Sequence, residues 1–224
     1  MSEYEGKENL DIMSLAINYN NTIFEWIMNK ENLDNKLMLE FGAGKGEFAN
    51  RFVKLNKNIL AIEIDQSMHQ FLKCSVAQKI EDFDKKYDFI YSINVLEHIE
   101  NDVDIINKFY KYLLPGGIVK IFVPARMEIY SSMDKKVGHF RRYDIYELRK
   151  KFEDAGFIID YCKYFDFIGY FVSLLYKYIN NSGDISEKGL KMYDNYIFPI
   201  SYMIDKITNG SVIGKNLILR GIKK

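Results

Sequence analysis

Four short apolar runs mark the chain up to residue 123: Leu37 to Phe41, Ile59 to Ile64, Asp88 to Ile93 and Ile118 to Val123. Each has strand length, β-branched residues are frequent in them, and turn residues bound them. Their near-unbroken apolarity predicts parallel strands buried on both faces. Between the last two, Ile105, Ile106, Phe109, Tyr110 and Leu113 recur at helical spacing over Val103 to Leu114, and Pro115-Gly116-Gly117 stops the pattern. A further helix is expected over Tyr146 to Asp154, closed by Gly156 and feeding a strand from Phe157 to Tyr161, with Leu217 to Ile222 as a last strand. Strand and helix alternate, which predicts an α/β fold built on a doubly wound sheet with right-handed crossovers. Phe165 to Ile179 is almost continuously apolar and aromatic, yet its 15 residues fall short of the roughly 20 that cross a bilayer. It reads as a helix packed on the sheet or covering a pocket; membrane-surface or lipid contact is the competing reading.

A chain of 224 residues buries one sizeable core, so a single domain with elaborations is expected. Hydrophobic residues make up 48% and charged residues 28%, which excludes disorder. Lys plus Arg number 31 and Asp plus Glu number 31, leaving no net positive field, so nucleic acid is not favoured as a partner. Two cysteines, Cys74 and Cys162, offer neither a disulfide framework nor a metal cluster, in keeping with a reducing compartment. Met1 to Asn9 carries acidic residues and no apolar segment, unlike a signal peptide, and a cytoplasmic location is expected. Oligomeric state is not legible.

Candidate chemistry begins directly after the first run. Glu40, Gly42, Gly44 and Gly46 follow it, and a helix is expected from Glu47. Glycines here let the backbone approach a ligand and take positive φ, while the helix start adds oriented N–H groups. The spacing G-x-G-x-G, with Glu47 where a dinucleotide fingerprint wants its third glycine, argues against a pyrophosphate cofactor such as NAD. Glu63 ends the second run, 21 residues after Gly42, where a carboxylate accepts both ribose hydroxyls and repels a 2′-phosphate. Adenosine carrying a positive substituent fits Glu40 and Glu63 together.

These residues resemble class I S-adenosylmethionine-dependent methyltransferases. Glu40-x-Gly42-x-Gly44-x-Gly46 resembles their first motif, Glu63 their ribose acid, and Pro115-Gly116-Gly117 the turn before their fifth strand. Asn94-Val95-Leu96-Glu97-His98-Ile99-Glu100 is similar to the post-strand motif of one bacterial subgroup. Val123-Pro124-Ala125, Tyr130, Ser132, Asp134 and Gly138-His139-Phe140-Arg141-Arg142-Tyr143 resemble its downstream signature; Asn18-Tyr19-Asn20 and Gly214-Lys215-Asn216-Leu217 match its habits. The resemblance implies a Rossmann-like sheet of seven strands, mostly parallel with the last antiparallel, and extra helices before the first strand and between the last two. It also implies a division into a helical cover (1–36), a cofactor-binding core (37–125), an acceptor loop with a helical lid (126–210) and a last strand (211–224). S-adenosylmethionine is the implied cofactor and S-adenosylhomocysteine the product. The implied cofactor-binding residues are Glu40, Phe41, Gly42, Ala43, Gly44, Gly46, Glu63, Ile64, Met68, Ile80, Glu81, Asn94 and Leu96. One departure stands out: Lys73 to Asp88, which should hold a third strand, is short, with Lys79 about where an acid is common, so Ile80, Glu81 or Asp82 is left for the adenine edge.

Methyl transfer from a sulfonium is an in-line displacement in which positioning supplies much of the acceleration and a base assists an O–H or N–H acceptor. His98, after the fourth strand, is the first candidate, set against a histidine that caps the next helix or orients Glu97; His139 is the second. His69 falls in a predicted helix and reads as a surface residue. Arg141, Arg142 and Tyr143 are candidates to clamp an anionic end of the acceptor, with Tyr130, Phe167 and Tyr170 enclosing its apolar part. The competing reading is an arginine pair that neutralises Asp134 and Asp144 and pins the loop. No His, Cys or acid set has zinc-ligand spacing, so no metal is expected. The expected function is methyl transfer to a small-molecule or lipid-like acceptor at O or N. The alternatives are a non-catalytic S-adenosylmethionine-binding protein and, disfavoured by the glycine spacing, a nicotinamide-dependent oxidoreductase.

Overall fold

The computed structural model describes residues 12–179 and 186–224, so the expectation for Met1 to Asn9 lies outside the described residues. Seven strands form one sheet: β1 (Leu37–Phe41), β2 (Asn58–Ile62), β3 (Ser75–Ala77), β4 (Tyr87–Ile93), β5 (Leu113–Pro124), β6 (Phe157–Phe165) and β7 (Asn216–Lys223). Their hydrogen-bonded order is β3-β2-β1-β4-β5-β7-β6. The first five are mutually parallel, and β7 runs antiparallel to both β5 and β6. Chain order reverses between β1 and β4, which opens a crevice at their carboxyl ends, the place where doubly wound sheets hold ligands.

Helices cover both faces: α1 (Ile17–Met28), α2 (Ala49–Lys54), α3 (Asp102–Tyr112), α4 (Ser132–Lys136), α5 (Ile145–Asp154), α6 (Phe167–Ile179), α7 (Glu187–Met192) and α8 (Phe198–Thr208). Neighbouring residues of a strand face opposite sides, so one apolar run feeds two cores. Met38, Phe89, Tyr91 and Phe122 pack with Tyr19, Ile23 and Trp26 of α1 and Phe52 of α2. Leu39, Ile90, Ile121 and Leu219 pack with Ile106 and Phe109 of α3 and Leu148 and Phe152 of α5. Each such buried side chain contributes about 1.5 to 3 kcal/mol.

Two polar clusters fix the covers. Lys120, fully buried in mid-β5, donates from Nζ to the carbonyls of Trp26 (3.0 Å), Ile27 (3.1 Å) and Asn29 (2.9 Å) and pairs with Glu31 at 2.9 Å. The carbonyls that α1 leaves open at its C-terminal end thereby find a donor on the sheet. At the other end, the Asp205 carboxylate accepts from the amides of Asp166 (2.6 Å) and Phe167 (3.1 Å), and Asp166 Oδ1 accepts from Ser201 Oγ (2.8 Å) and from the Tyr193 hydroxyl. Asp194 accepts from the amides of Asn18 (2.9 Å) and Tyr19 (2.8 Å), joining the covering helices to the start of α1.

The elements expected from the sequence are present, with shifted edges. Pro115-Gly116-Gly117 lies within β5 as an irregularity: pairing with β4 jumps from Tyr87↔Leu113 to Phe89↔Ile118. The segment Lys73 to Asp88 does hold a third strand, of only three residues. The helix expected from Glu47 begins at Ala49, after turns through the glycine loop. The strand Phe157 to Tyr161 extends to Phe165, leaving Phe167–Ile179 for α6. Among the described residues no helix is long and apolar enough to cross a membrane.

Candidate active site

The loop leaving β1 is held open by backbone geometry. Gly42, Gly44 and Gly46 all have positive φ (79°, 52° and 81°). A Cβ on Gly42 would lie 2.3 Å from Val95 Cγ2, and one on Gly46 would lie 2.7 Å from Asn50 Nδ2, so only glycine fits the cradle. Glu63 ties the loop to the end of β2: Oε2 accepts from Gly44 N at 2.7 Å and Oε1 from Asp65 N at 2.9 Å. Each oxygen retains a lone pair for a vicinal diol. His69, expected at the surface, is half-buried, with Nε2 2.7 Å from the Glu63 carbonyl oxygen.

Glu40 lies behind the loop, 2% exposed, with Oε2 accepting from the Tyr91 hydroxyl at 3.1 Å. Burial pushes its carboxyl up to about 8, against the Tyr91 and Ala49 hydrogen bonds. A buried acid that is neutral at pH 7 becomes an anion when a cation docks beside it, which matches the positive group inferred for the ligand. Asn94 holds φ 52°, a left-handed conformation that asparagine tolerates, with its amide bonded to the Phe122 carbonyl at 2.8 Å.

A cavity of about 1020 Å³ runs from this loop towards α6 and α7. Glu40, Gly42, Ala43, Gly44, Gly46 and Asn94 line one part, and His98, His139, Arg142 and Lys215 line the middle. Gly169, Val172, Ser173 and Tyr176, one face of α6, close the far side with Leu190 and Ile197. Tyr19 also lines it and accepts from Asn216 Nδ2 at 2.6 Å through its hydroxyl. Phe41, Glu63, Ile64, Met68, Ile80, Glu81 and Leu96 are not among the lining residues. Met68, Ile80 and Leu96 are buried in the core, Glu81 pairs with Lys108 at 2.8 Å, and Ile64 is 75% exposed at the end of β2 beside Glu63.

The two candidate histidines meet. Their rings sit 4.5 Å apart, edge to face, although 41 residues separate them in sequence. Asp134 Oδ1 lies 2.8 Å from His139 Nδ1 and 2.9 Å from Arg142 Nε, while Oδ2 accepts from Ser131 N at 2.8 Å. Burial raises the Asp134 carboxyl, but His139, Arg142 and the Ser131 amide outweigh it and hold it down at about 2. Burial, helped by His139, lowers His98 to about 4 against hydrogen bonds with the Gly138 and Val137 backbone. Glu97 packs behind both rings, fully buried, with Oε1 3.8 Å from His139 Nε2 and no hydrogen-bond partner on either oxygen.

The expected acceptor clamp is largely structural. Arg142 borders the cavity but is 3% exposed and committed to Asp134. Arg141 turns to Asp102 (3.1 Å) and the Glu100 carbonyl (2.7 Å), while Asp144 caps α5 instead of pairing with either arginine. Tyr143 is fully buried, its hydroxyl donating to Asp102 Oδ2 at 2.7 Å. Tyr130 donates to the His139 carbonyl at 2.6 Å, bracing the histidine rather than the cavity wall. Phe167 meets Phe171 edge to face and Tyr170 turns to Arg126 and Glu128, so the lining face of α6 is the one bearing Gly169, Val172 and Tyr176. Lys215, half-buried and lining the cavity, is a further basic residue to which sequence reasoning gave no role, and burial pulls its ammonium below the ordinary lysine range.

Residues 20–161 match a family described as a methyltransferase domain. The chain is 31% identical over 134 residues to phosphoethanolamine N-methyltransferase 3 of Arabidopsis thaliana, a match covering 52% of this chain and 27% of that protein. It is 42% identical over 71 residues to ribosomal RNA small subunit methyltransferase A of Mycoplasma mobile, covering 31% of this chain and 27% of that protein. The matches thus span only about a quarter of these relatives' length. A crystal structure of a SAM-dependent methyltransferase from Archaeoglobus fulgidus superposes with a TM-score of 0.60 at 16% identity, covering 92% of this chain and 93% of the other. That likeness shows the fold.

Proposed function

This chain belongs to the methyltransferase-domain family, and we propose that it moves a methyl group from S-adenosylmethionine to a small-molecule or lipid-like acceptor at oxygen or nitrogen. The cavity carries this reading: one continuous space of about 1020 Å³ is lined by the glycine loop, the histidine pair and α6 together. That volume accommodates a cofactor and an acceptor together, at the upper end of ordinary small-molecule sites. The residues of the loop fit the cofactor, because the glycine cradle admits a closely held backbone-bound group and Glu63 offers two carboxylate oxygens beside it.

In this reading Glu63 holds the ribose hydroxyls, the exposed Ile64 gives the base an apolar surface, and Glu40, Gly42 to Gly46 and Asn94 hold the amino-acid end. The bound cofactor supplies a methyl group activated by its sulfonium centre. His98 and His139 present ring nitrogens to the acceptor's nucleophile, Asp134 fixing the orientation of His139. Lys215 holds an anionic end of the acceptor, while Val172, Tyr176 and Leu190 exclude water from its apolar body. The outward faces of α6 and α8 expose Phe171, Leu175, Tyr178, Met203 and Ile207, which suits delivery of an apolar acceptor from a lipid surface.

Thermal melting with each cofactor gives the first test. S-adenosylmethionine or S-adenosylhomocysteine at 100 times its Kd should stabilise the fold by about 2.7 kcal/mol and raise the melting point by roughly 5 to 10 °C, whereas NAD should not. Stabilisation by NAD alone would overturn the assignment. Incubation with acceptor pools, read by mass spectrometry for the gain of one methylene mass, then identifies the acceptor.

A further inference from the structure

Glu97, His98 and His139 each carry one ligand-type atom, and these three atoms lie within 4.8 Å of one another. We propose that these three side chains bind a divalent first-row transition-metal ion at the middle of the cavity. Two ligand atoms that each lie about 2.1 Å from one ion stand roughly 3.0 to 4.2 Å apart, and the 3.8 Å between His139 Nε2 and Glu97 Oε1 already falls in that range. The rings of His98 and His139 meet edge to face at 78° with centroids 4.5 Å apart, so ligation of a shared ion requires one imidazole to turn until both lone pairs converge.

Three further observations separate this cluster from a chance meeting. Both carboxylate oxygens of Glu97 are buried without a hydrogen-bond partner, which costs free energy unless something else satisfies them. Asp134 Oδ1 sits 2.8 Å from His139 Nδ1, which assigns the proton to that nitrogen and leaves Nε2, 3.8 Å from Glu97 Oε1, with a free lone pair. A carboxylate behind a histidine in this way is the usual outer partner of a metal-bound imidazole. His98 and His139 also border the cavity whereas Glu97 closes the site from behind, so the open coordination positions face the acceptor space. Two imidazoles and one carboxylate select a transition metal over magnesium or calcium.

The consequence for catalysis rests on the methyl-transfer reading, but the ion site does not. Once bound, the ion would take over the role that the free imidazoles have without it: the two histidines would serve as ligands, and an acceptor oxygen on the open face would have its pKa lowered by the ion.

Co2+ titration of the tag-free protein tests the site, followed by the visible d–d absorption of the bound ion and by calorimetric stoichiometry. One saturable equivalent is expected. Glu97→Gln and His139→Gln should each weaken Co2+ binding by about 100-fold or more, beyond the 10- to 100-fold typical of losing an outer-shell partner. His69→Ala, which removes the remaining histidine of three, should leave it unchanged. Cofactor binding to each variant, measured separately, reports whether the fold survives. The proposal is overturned if the wild type binds no stoichiometric Co2+, or if folded Glu97→Gln and His139→Gln bind it as the wild type does. Either result leaves the cofactor assignment standing.

Discussion

Replacing Asp134 by Asn neutralises a carboxylate that is fully buried and serves three partners at once: Arg142 at 2.9 Å, His139 at 2.8 Å and the Ser131 amide at 2.8 Å. Asparagine keeps the shape but removes the charge, stranding a guanidinium that is 3% exposed and whose other hydrogen bond is to the Ala125 carbonyl at 3.3 Å. Breaking one side of a buried pair costs about 3 to 5 kcal/mol, a large share of the 5 to 15 kcal/mol that holds a domain folded. The carboxylate's own preference is smaller. A folded-state pKa of about 2 against an ordinary 3.8 corresponds to roughly 2 kcal/mol; the remainder is the isolated arginine. Because the folded pKa is depressed, this stability is present above pH 4 and drains away as pH falls through 3.8 towards 2. Urea denaturation at pH 7 should therefore show Asp134→Asn less stable by 3 to 5 kcal/mol, and the gap to wild type should narrow between pH 4 and pH 2. Adding Arg142→Met should restore much of the loss, since a buried pair replaced on both sides by packed groups is often close to neutral. A single-variant loss under about 1 kcal/mol, or a double variant no better than the sum of the singles, would show that the arginine is solvated and free to hold an acceptor.

Two further outcomes test the frame around the site. Glu63→Ala removes the acceptor of the Gly44 and Asp65 amides, and calorimetry should find cofactor affinity weakened by roughly 1 to 3 kcal/mol with the melting point of the free protein little changed. Lys120→Met leaves the carbonyls of Trp26, Ile27 and Asn29 without their shared donor and Glu31 with Arg220 alone, so chemical denaturation should show a loss of about 3 to 5 kcal/mol; a loss under about 1 kcal/mol would mean that α1 holds to the sheet by apolar packing.

The cofactor side was readable because its signals are local. A glycine loop and a strand-end acid use residues adjacent in sequence, and the positive φ of Gly42, Gly44 and Gly46 is what their residue type foretells. Lys120 was equally visible and passed over: a lysine in the middle of a strand buried on both faces must find partners, and it finds them in carbonyls more than 90 residues earlier. Arg142 shows the opposite difficulty. Its sequence neighbours suggest a clamp as readily as a strut, and only burial, which no spacing records, separates the two.

The middle of the cavity illustrates why acceptor chemistry resists such reading. Glu97 and His98 leave the sheet after β4, whereas His139 arrives after β5 on the far side of α4, and Asp134 on α4 sets which nitrogen His139 offers. No ligand spacing exists to be found, because the three side chains converge only once β4 and β5 are paired in register, Ile93 opposite Phe122. The lid repeats the logic. Asp166 ends β6 at a positive φ of 66°, and together with Asp205 it anchors α6 so that Gly169, Val172 and Tyr176, rather than Phe167 and Tyr170, turn inward. A rotation of one residue, about 100° on a helix, would exchange those faces. That phase is set by two aspartates 39 residues apart, so the choice of lining residues belongs to the tertiary structure, whereas the apolar character of the lid belongs to the composition.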